Sequence, residues 1–138
     1  MICDCGELGD ISDYDDETLE KANEAFFLWE DEQEYEKAIV PLHFAAKRRY
    51  SFAMGRYGCY CLTKKIDLEF ASECLLMAAL RGEEWSCEFI EPYLKALMPL
   101  LNKSTIKERN VWLKTGKKSA KIRKVIEKLV VLITSSKG

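Results

Sequence analysis

Two related stretches decide the fold, LEFASECLLMAALRG at residues 68–82 and YEKAIVPLHFAAKRR at residues 35–49. They lie thirty-three residues apart and share a Glu, an Ala, a Leu and an Ala-Ala pair at matching positions. A period of about 33–34 residues is typical of helix-turn-helix arrays. Small residues are required where two helices of a hairpin approach closely, and the Ala-Ala pairs at 45–46 and 78–79 meet that need. The pattern therefore predicts that the chain contains copies of one helical hairpin.

The size and composition of the chain predict one domain with its own hydrophobic core. The sequence has 138 residues, of which 48% are hydrophobic and 32% are charged, as in ordinary soluble globular proteins. It contains no apolar run of about 18 residues, the length that a membrane-spanning helix needs. The opening MICDCGELGD lacks the basic and apolar regions of a secretory signal. We therefore expect a cytoplasmic protein whose six cysteines are reduced thiols.

Apolar residues recur at helical spacing along most of the chain and predict an all-α fold. An acidic lead-in at residues 1–15 precedes helical repeats over residues 16–101, and two basic helices follow over residues 102–138. No stretch shows the sustained alternation that a half-buried strand requires. We predict antiparallel helical hairpins stacked as a short, solenoid-like repeat domain, with an amphipathic helix at the C-terminal end.

Several local signals predict where helices stop and start. The acidic run at residues 30–34 is expected to end the first apolar stripe, and Pro92 and Pro99 are expected to kink or cut the fifth helix. Thr105 and Glu108 have the spacing of a capping box, which opens a short helix. Glycines are natural helix stops, and the last helix is expected from about residue 117. The glycines that fit this role are Gly82 and Gly116.

The stretches DEQEYEKAIVPLHFAAKRR and KKIDLEFASECLLMAALRG resemble the second helix of the tetratricopeptide superfamily in its Sel-like form. Ala53, Tyr57-Gly58 and Cys61 are similar to the spacing of that family's first helix. The resemblance covers about residues 18–95. It implies stacked hairpins whose curved surface binds other proteins, with no catalytic groups on the helices.

Charge is strongly polarised along the chain. Residues 1–36 carry a net charge of −13 and residues 102–138 a net charge of +9. The acidic end is suited to cover a basic cleft on a partner, as small immunity proteins that neutralise bacterial toxins do. The basic end is suited to contact nucleic acid phosphates, although only Trp112 interleaves an aromatic ring with the bases. A solubilising acidic cap and a solvated basic helix face are the alternatives that involve no partner.

Catalytic motifs are missing from the sequence. His43 is the single histidine, so a nucleophile-histidine pair has one candidate base. The chain has no nucleophile elbow, phosphate-binding loop or dinucleotide fingerprint. The glycines of GRYG, residues 55–58, fit helix packing. We therefore expect no enzymatic activity and no cofactor.

Cysteine spacing offers one rival interpretation. Cys3 and Cys5 form one Cys-x-Cys pair, Cys59 and Cys61 form another, and four thiolates are able to hold zinc. On a helix, however, Cys59 and Cys61 lie on opposite sides and cannot share a metal ion. We therefore predict no metal site.

The favoured function is a protein-binding module, and specifically an immunity or inhibitor protein for a cognate toxin. The alternatives are an adaptor in a larger complex and nucleic-acid binding through the basic C-terminal helix. The oligomeric state is left open. The candidate partner-binding residues are Glu24, Trp29, His43, Arg48, Arg56, Tyr60 and Glu84, together with the acids Asp13, Asp16, Glu17 and Glu20.

Overall fold

The computed structural model describes residues 14–135, in which all regular secondary structure is helical. The predicted all-α class is confirmed for this part of the chain. No helix in it combines the length and the apolar character that a membrane span requires. The helices are α1 (Asp16–Phe26), α2 (Tyr35–Lys47), α3 (Ser51–Lys64), α4 (Leu68–Leu80), α5 (Glu84–Asn102), α6 (Ile106–Thr115) and α7 (Ala120–Ser135).

Helix α1 begins where an acidic cap satisfies its first backbone amides. The Asp15 carboxylate accepts hydrogen bonds from the Thr18 amide at 2.8 Å and from the Thr18 hydroxyl at 2.6 Å. These hydrogen bonds favour the charged form and lower the pKa of Asp15. The predicted helix start at Asp16 is therefore confirmed, with Asp15 as its N-cap.

The first helical segment ends at Asp31, within the acidic run where the sequence pattern predicted its end. A π-helical segment, Phe27–Asp31, continues α1, and the Glu32 amide donates to the Phe27 carbonyl at 3.1 Å. Trp29 lies in this segment, on the side that faces α3 and α5, where it packs against Tyr60 and Trp85.

Helices α2 and α4 have the same length and matching ends. Each contains 13 residues, and both their first and their last residues are thirty-three positions apart. The helices that follow them, α3 and α5, also begin thirty-three positions apart, at Ser51 and Glu84.

The two turns that follow these helices have the same backbone hydrogen bonds. The Arg49 amide donates to the Ala46 carbonyl at 2.9 Å, and the Gly82 amide donates to the Ala79 carbonyl at 2.9 Å. The next amide in each turn donates to the first alanine of the pair: Tyr50 to the Ala45 carbonyl at 3.1 Å, and Glu83 to the Ala78 carbonyl at 3.0 Å. Arg49 and Gly82 both have left-handed backbones, with φ of 66° and 95°. The helix stop predicted at Gly82 is confirmed, and Arg49 occupies the equivalent position.

Consecutive helices from α1 to α5 pack against one another, and α7 packs on both α4 and α5. The Ala-Ala pairs lie in the core as predicted, since Ala45 and Ala78 are fully buried. Gly58 permits the close approach of α3 and α4, because a Cβ there would lie 2.8 Å from the Ala71 carbonyl. The largest fully buried side chains are Trp112, Leu42, Met54, Leu75, Leu76, Met77, Ile90, Leu97, Leu101, Ile122, Ile126 and Leu129.

Helix α5 runs through both of its prolines. Of the two expected effects, a kink or a cut, the cut does not occur at Pro92 or Pro99, because one helix spans Glu84–Asn102. Both prolines are exposed. Packing of α5 against α4 and α7 therefore outweighs the lost backbone hydrogen bonds that each proline entails.

The C-terminal part begins with the predicted capping box. The Thr105 hydroxyl accepts from the Glu108 amide at 3.0 Å, and the Glu108 carboxylate accepts from the Thr105 amide at 2.9 Å. Helix α6 ends at Gly116, whose φ of 81° is left-handed as a glycine stop requires. The last helix starts slightly later than expected, at Ala120, because the Ser119 hydroxyl accepts from the Ile122 amide at 3.3 Å.

Candidate functional site

An open cleft of about 780 Å³ lies between the π-helical segment, the first turn of α2, the second half of α3 and the first turn of α5. We call it the aromatic cleft, because aromatic rings from all four elements meet there. It is lined by Trp29, Gln33, Glu34, Tyr35, Glu36, Lys37, Cys59, Tyr60, Thr63, Lys64 and Trp85.

Trp29 is at the centre of the ring contacts in the aromatic cleft. Its ring makes edge-to-face contacts with Tyr35 at 4.6 Å, Tyr60 at 6.5 Å and Trp85 at 6.4 Å between centroids. Edge-to-face geometry is the favoured arrangement of aromatic pairs, because the positive ring edge meets the negative ring face. The four rings therefore hold one another in place and form a wide apolar floor.

Arg56 packs against the Trp85 ring and stabilises the apolar floor. Its guanidinium lies 4.2 Å from the centroid of the Trp85 ring and pairs with Glu83 at 3.3 Å and with Glu30 at 3.6 Å. Only 11% of the Arg56 side chain is exposed. Arg56 therefore fixes the position of Trp85 and has little surface to offer directly to a partner.

The rim of the aromatic cleft carries charges of both signs. Lys37 pairs with Glu34 at 3.0 Å, and the Lys64 ammonium lies 5.8 Å from the centroid of the Tyr60 ring. Both lysines lie at the solvent edge, and Tyr35 is 42% exposed. An apolar floor with a polar rim is the usual anatomy of a protein-binding patch.

The cysteine in the aromatic cleft is not an activated nucleophile. Burial raises the pKa of the Cys59 thiol to about 11, so the thiol is protonated near neutral pH and reacts poorly. Burial also raises the pKa of Cys61, which lies in the core. Cys3 and Cys5 lie outside the described residues. Within residues 14–135 no group of three or more metal-ligating side chains comes together.

His43 is exposed on α2, away from the aromatic cleft. Its ring packs beside Tyr57 at 5.1 Å and Phe70 at 6.1 Å between centroids. The Tyr57 hydroxyl donates to Asp67 at 2.7 Å, so these neighbours form an aromatic contact and not a nucleophile-base pair.

The acidic candidates lie on a separate surface. Asp16, Glu17 and Glu20 are exposed on the first turns of α1. Glu24 is exposed on the same helix and pairs with Lys21 at 3.6 Å. Asp13 lies outside the described residues.

The remaining candidates lie at helix ends. Glu84 is exposed at the first position of α5. Arg48 is exposed just after α2, where its guanidinium stacks 3.6 Å from the centroid of the Phe44 ring. Of the predicted partner-binding residues, the structure brings together Trp29, Arg56 and Tyr60 at the aromatic cleft, and His43 and Arg48 at a separate cavity beside α2.

Sequence reasoning missed two of the rings that line the aromatic cleft. Tyr35 and Trp85 were not among the predicted partner-binding residues, and both lie in the first turns of their helices. Their signal in the sequence is a large aromatic residue beside acids at a helix start, in the stretches EYE and EEW. That they meet Trp29 depends on tertiary packing.

The chain matches no protein-family model, no curated protein and no solved structure. The resemblance to the tetratricopeptide superfamily therefore stays a prediction. Function has to be argued from the geometry of the aromatic cleft and of the charged surfaces around it.

Proposed function

We propose that this protein is a non-enzymatic protein-binding module, in which the aromatic cleft holds a segment of a partner protein. The observation that carries this proposal is the ring cluster of Trp29, Tyr35, Tyr60 and Trp85, open to solvent and bordered by charges. Tyrosine and tryptophan are enriched among residues that dominate binding energies, since they bury a large area at low cost in side-chain entropy.

The proposal includes an architecture of stacked hairpins. The thirty-three-residue offset between α2 and α4, and between the turns that follow them, supports an internal repeat. Repeats of this kind form extended concave surfaces that bind proteins. The rings of the aromatic cleft come from successive hairpins of such an array, so a bound segment would contact several repeats at once.

The specific version of the proposal is an inhibitor of a basic partner, such as a bacterial toxin. Its support is the exposed acidic surface of α1, where Asp16, Glu17 and Glu20 have no ion-pair partner among the described residues. Like charges held on one surface steer a partner of opposite charge and accelerate its association. An adaptor in a larger complex is the alternative, in which this acidic surface has no role in binding. Binding of nucleic acid by the basic face of α7 is a further alternative.

Photocrosslinking tests the aromatic cleft directly. A photoreactive phenylalanine replaces Tyr35, which is 42% exposed in the cleft, or Val131, which is 55% exposed on α7. Each full-length variant is expressed in the cells that normally produce the protein and irradiated. We expect one dominant protein adduct from position 35 and none from position 131. Equal labelling at both positions, or no protein adduct from position 35, would contradict the proposal.

Charge variants then distinguish the inhibitor from the adaptor. The partner captured at position 35 is titrated with Glu17→Gln/Glu20→Gln and with the control Glu91→Gln/Glu127→Gln, which removes the same charge from exposed positions on α5 and α7. For an inhibitor of a basic partner we expect slower association with the first variant only, and an effect that fades at high salt. Equal rates for both variants would favour the adaptor.

A further inference from the structure

A second cavity, of about 320 Å³, lies where the C-terminal ends of α2, α4 and α6 meet. Among residues 14–135, two uncharged side chains, Tyr14 and Thr115, contribute to its wall, and no Asp or Glu of this part of the chain lines it. We call it the basic pocket, because its other lining residues are all cations. These are Lys47, Arg48, Arg49, Arg81 and Lys114.

Arg81 forms a fixed inner wall of the basic pocket. It is only 7% exposed, and its guanidinium donates to the Leu113 carbonyl and, at 2.6 Å, to the Arg49 carbonyl. These carbonyls lie at the ends of α6 and α2, where helix dipoles are negative and would repel an anion. Because Arg81 donates hydrogen bonds to these carbonyls, they present little negative charge to an anion in the pocket.

Arg49 is held in the pocket wall but is only weakly neutralised. Its guanidinium packs against Gly116, where a Cβ would collide with it. The buried carboxylate of Glu73 is 4.0 Å from Arg49 and closer to Lys118, at 3.3 Å. The Nε atom of Arg49 has no hydrogen-bond partner among the described residues. The single negative charge of Glu73 is therefore shared between Arg49 and Lys118, and it neutralises Arg49 only in part.

The rim of the basic pocket adds three exposed cations, Lys47, Arg48 and Lys114. Hydrogen bonds from Thr18 lower the pKa of Asp15, and the nearby Arg48 cation adds to this effect. Glu73 and Asp15 thus each interact with one of the five lining cations, Arg49 and Arg48. Cations clustered around one cavity attract an anion to it.

We propose that the basic pocket binds the phosphate group of a small anionic ligand, a phosphate ester or a polyphosphate. Arginine guanidinium groups match the geometry of phosphate oxygens. The lysines at the rim add positive charge, and their ammonium groups donate hydrogen bonds with no fixed geometry. The cavity has the volume of about ten water molecules, enough for more than one phosphate group. The basic pocket and the aromatic cleft share no lining residue, so this site does not depend on the proposed protein-binding function.

Calorimetric titration of the full-length protein with sodium tripolyphosphate, at constant ionic strength, tests the site. The pocket variant is Arg48→Gln/Lys114→Gln, and the control is Lys124→Gln/Lys128→Gln on α7. All four side chains are exposed, so both variants should fold. We expect saturable 1:1 binding that weakens about tenfold or more in the pocket variant, since two charged hydrogen-bond donors are lost. The control should bind as the wild type does.

Parallel titrations identify the source of the phosphate. Inorganic phosphate, a single-stranded RNA oligonucleotide and vesicles containing an anionic lipid are compared with tripolyphosphate at the same ionic strength. Binding of tripolyphosphate or phosphate that only the pocket variant weakens supports the proposal. Absence of saturable binding would overturn it. So would binding confined to RNA or vesicles, or equal weakening by both variants, because each would indicate a diffuse basic surface.

Discussion

The turns after α2 and after α4 share a backbone geometry but use their side chains differently. At the left-handed position, a Cβ on Gly82 would meet nothing within 4 Å, so glycine there serves the backbone alone. At the equivalent position Arg49 adopts a left-handed φ, and its side chain lies between Gly116 and Glu73. The backbone strain at Arg49 is thus offset by contacts of its side chain to the C-terminal part, whereas in the Gly82 turn the contact to the C-terminal part comes from the neighbouring Arg81.

The arginines that precede these two positions differ even more. Arg48 and Arg81 are thirty-three residues apart. Arg48 is exposed and stacks on Phe44 within its own helix. Arg81 is buried, and its guanidinium reaches back to the Arg49 carbonyl and to the Ser51 hydroxyl at 3.1 Å. One arginine of the pair is a surface residue, and the other joins the second turn to the first.

Substitution of Arg48 and of Arg81 should give the largest difference in the free energy of unfolding between the two turns. Arg81→Met removes the side-chain donor of the Leu113 carbonyl and leaves the Arg49 carbonyl with the Tyr14 hydroxyl alone, so we expect the free energy of unfolding to fall by about 3 kcal/mol. Arg48→Met removes an exposed stacking contact and should change it by less than about 0.5 kcal/mol. Urea unfolding followed by circular dichroism measures both. Similar values for the two variants would mean that Arg81 does not join the turns.

The buried alanines test whether α2 and α4 pack in the same way. Ala45 and Ala78 are both fully buried at equivalent positions. Ala45→Leu and Ala78→Leu should each overpack the core and destabilise the protein by about 2 kcal/mol. The same unfolding assay applies. A loss at one site and none at the other would show that the matching backbone does not produce matching packing.

The smallest effect is expected at the glycine. Gly82→Ala places a Cβ in a left-handed backbone, but in open space, so only the strain remains and stability should fall by about 1 kcal/mol. Gly82→Asn is the matched control, since asparagine tolerates this conformation better and should lose less. Thermal unfolding of the two variants gives the comparison. A larger loss with asparagine would indicate steric contacts rather than strain.

Features set by neighbouring residues were predictable from the sequence. The Thr105 capping box, the stop at Gly116 and the buried face of α7 depend on side chains within one or two turns of a helix. The offset between α2 and α4 was also visible, because the same spacing of small and bulky residues serves the same packing. These signals were enough for the all-α class and for most of the helix bounds.

Features set by distant residues were not predictable. The continuity of α5 through Pro92 and Pro99 depends on the helices packed around it. Trp29 lies in a π-helical segment and contacts Tyr60 and Trp85, and no pattern in the acidic run indicated the π-helical geometry or these contacts. The sequence identified Trp29 and Tyr60 as candidates, but only the fold shows that they form one surface.

The placement of the three tryptophans gives the protein built-in optical reporters. Trp112 is fully buried, and its indole nitrogen donates to Glu73 at 3.4 Å, so its fluorescence emission should stay blue-shifted while the C-terminal helices remain docked. Trp29 and Trp85 lie in the aromatic cleft, within reach of solvent. Acrylamide quenching should therefore report on the cleft, and the emission wavelength of Trp112 on the integrity of the core. Quenching and emission wavelength, measured together, thus separate occupancy of the cleft from unfolding of the protein.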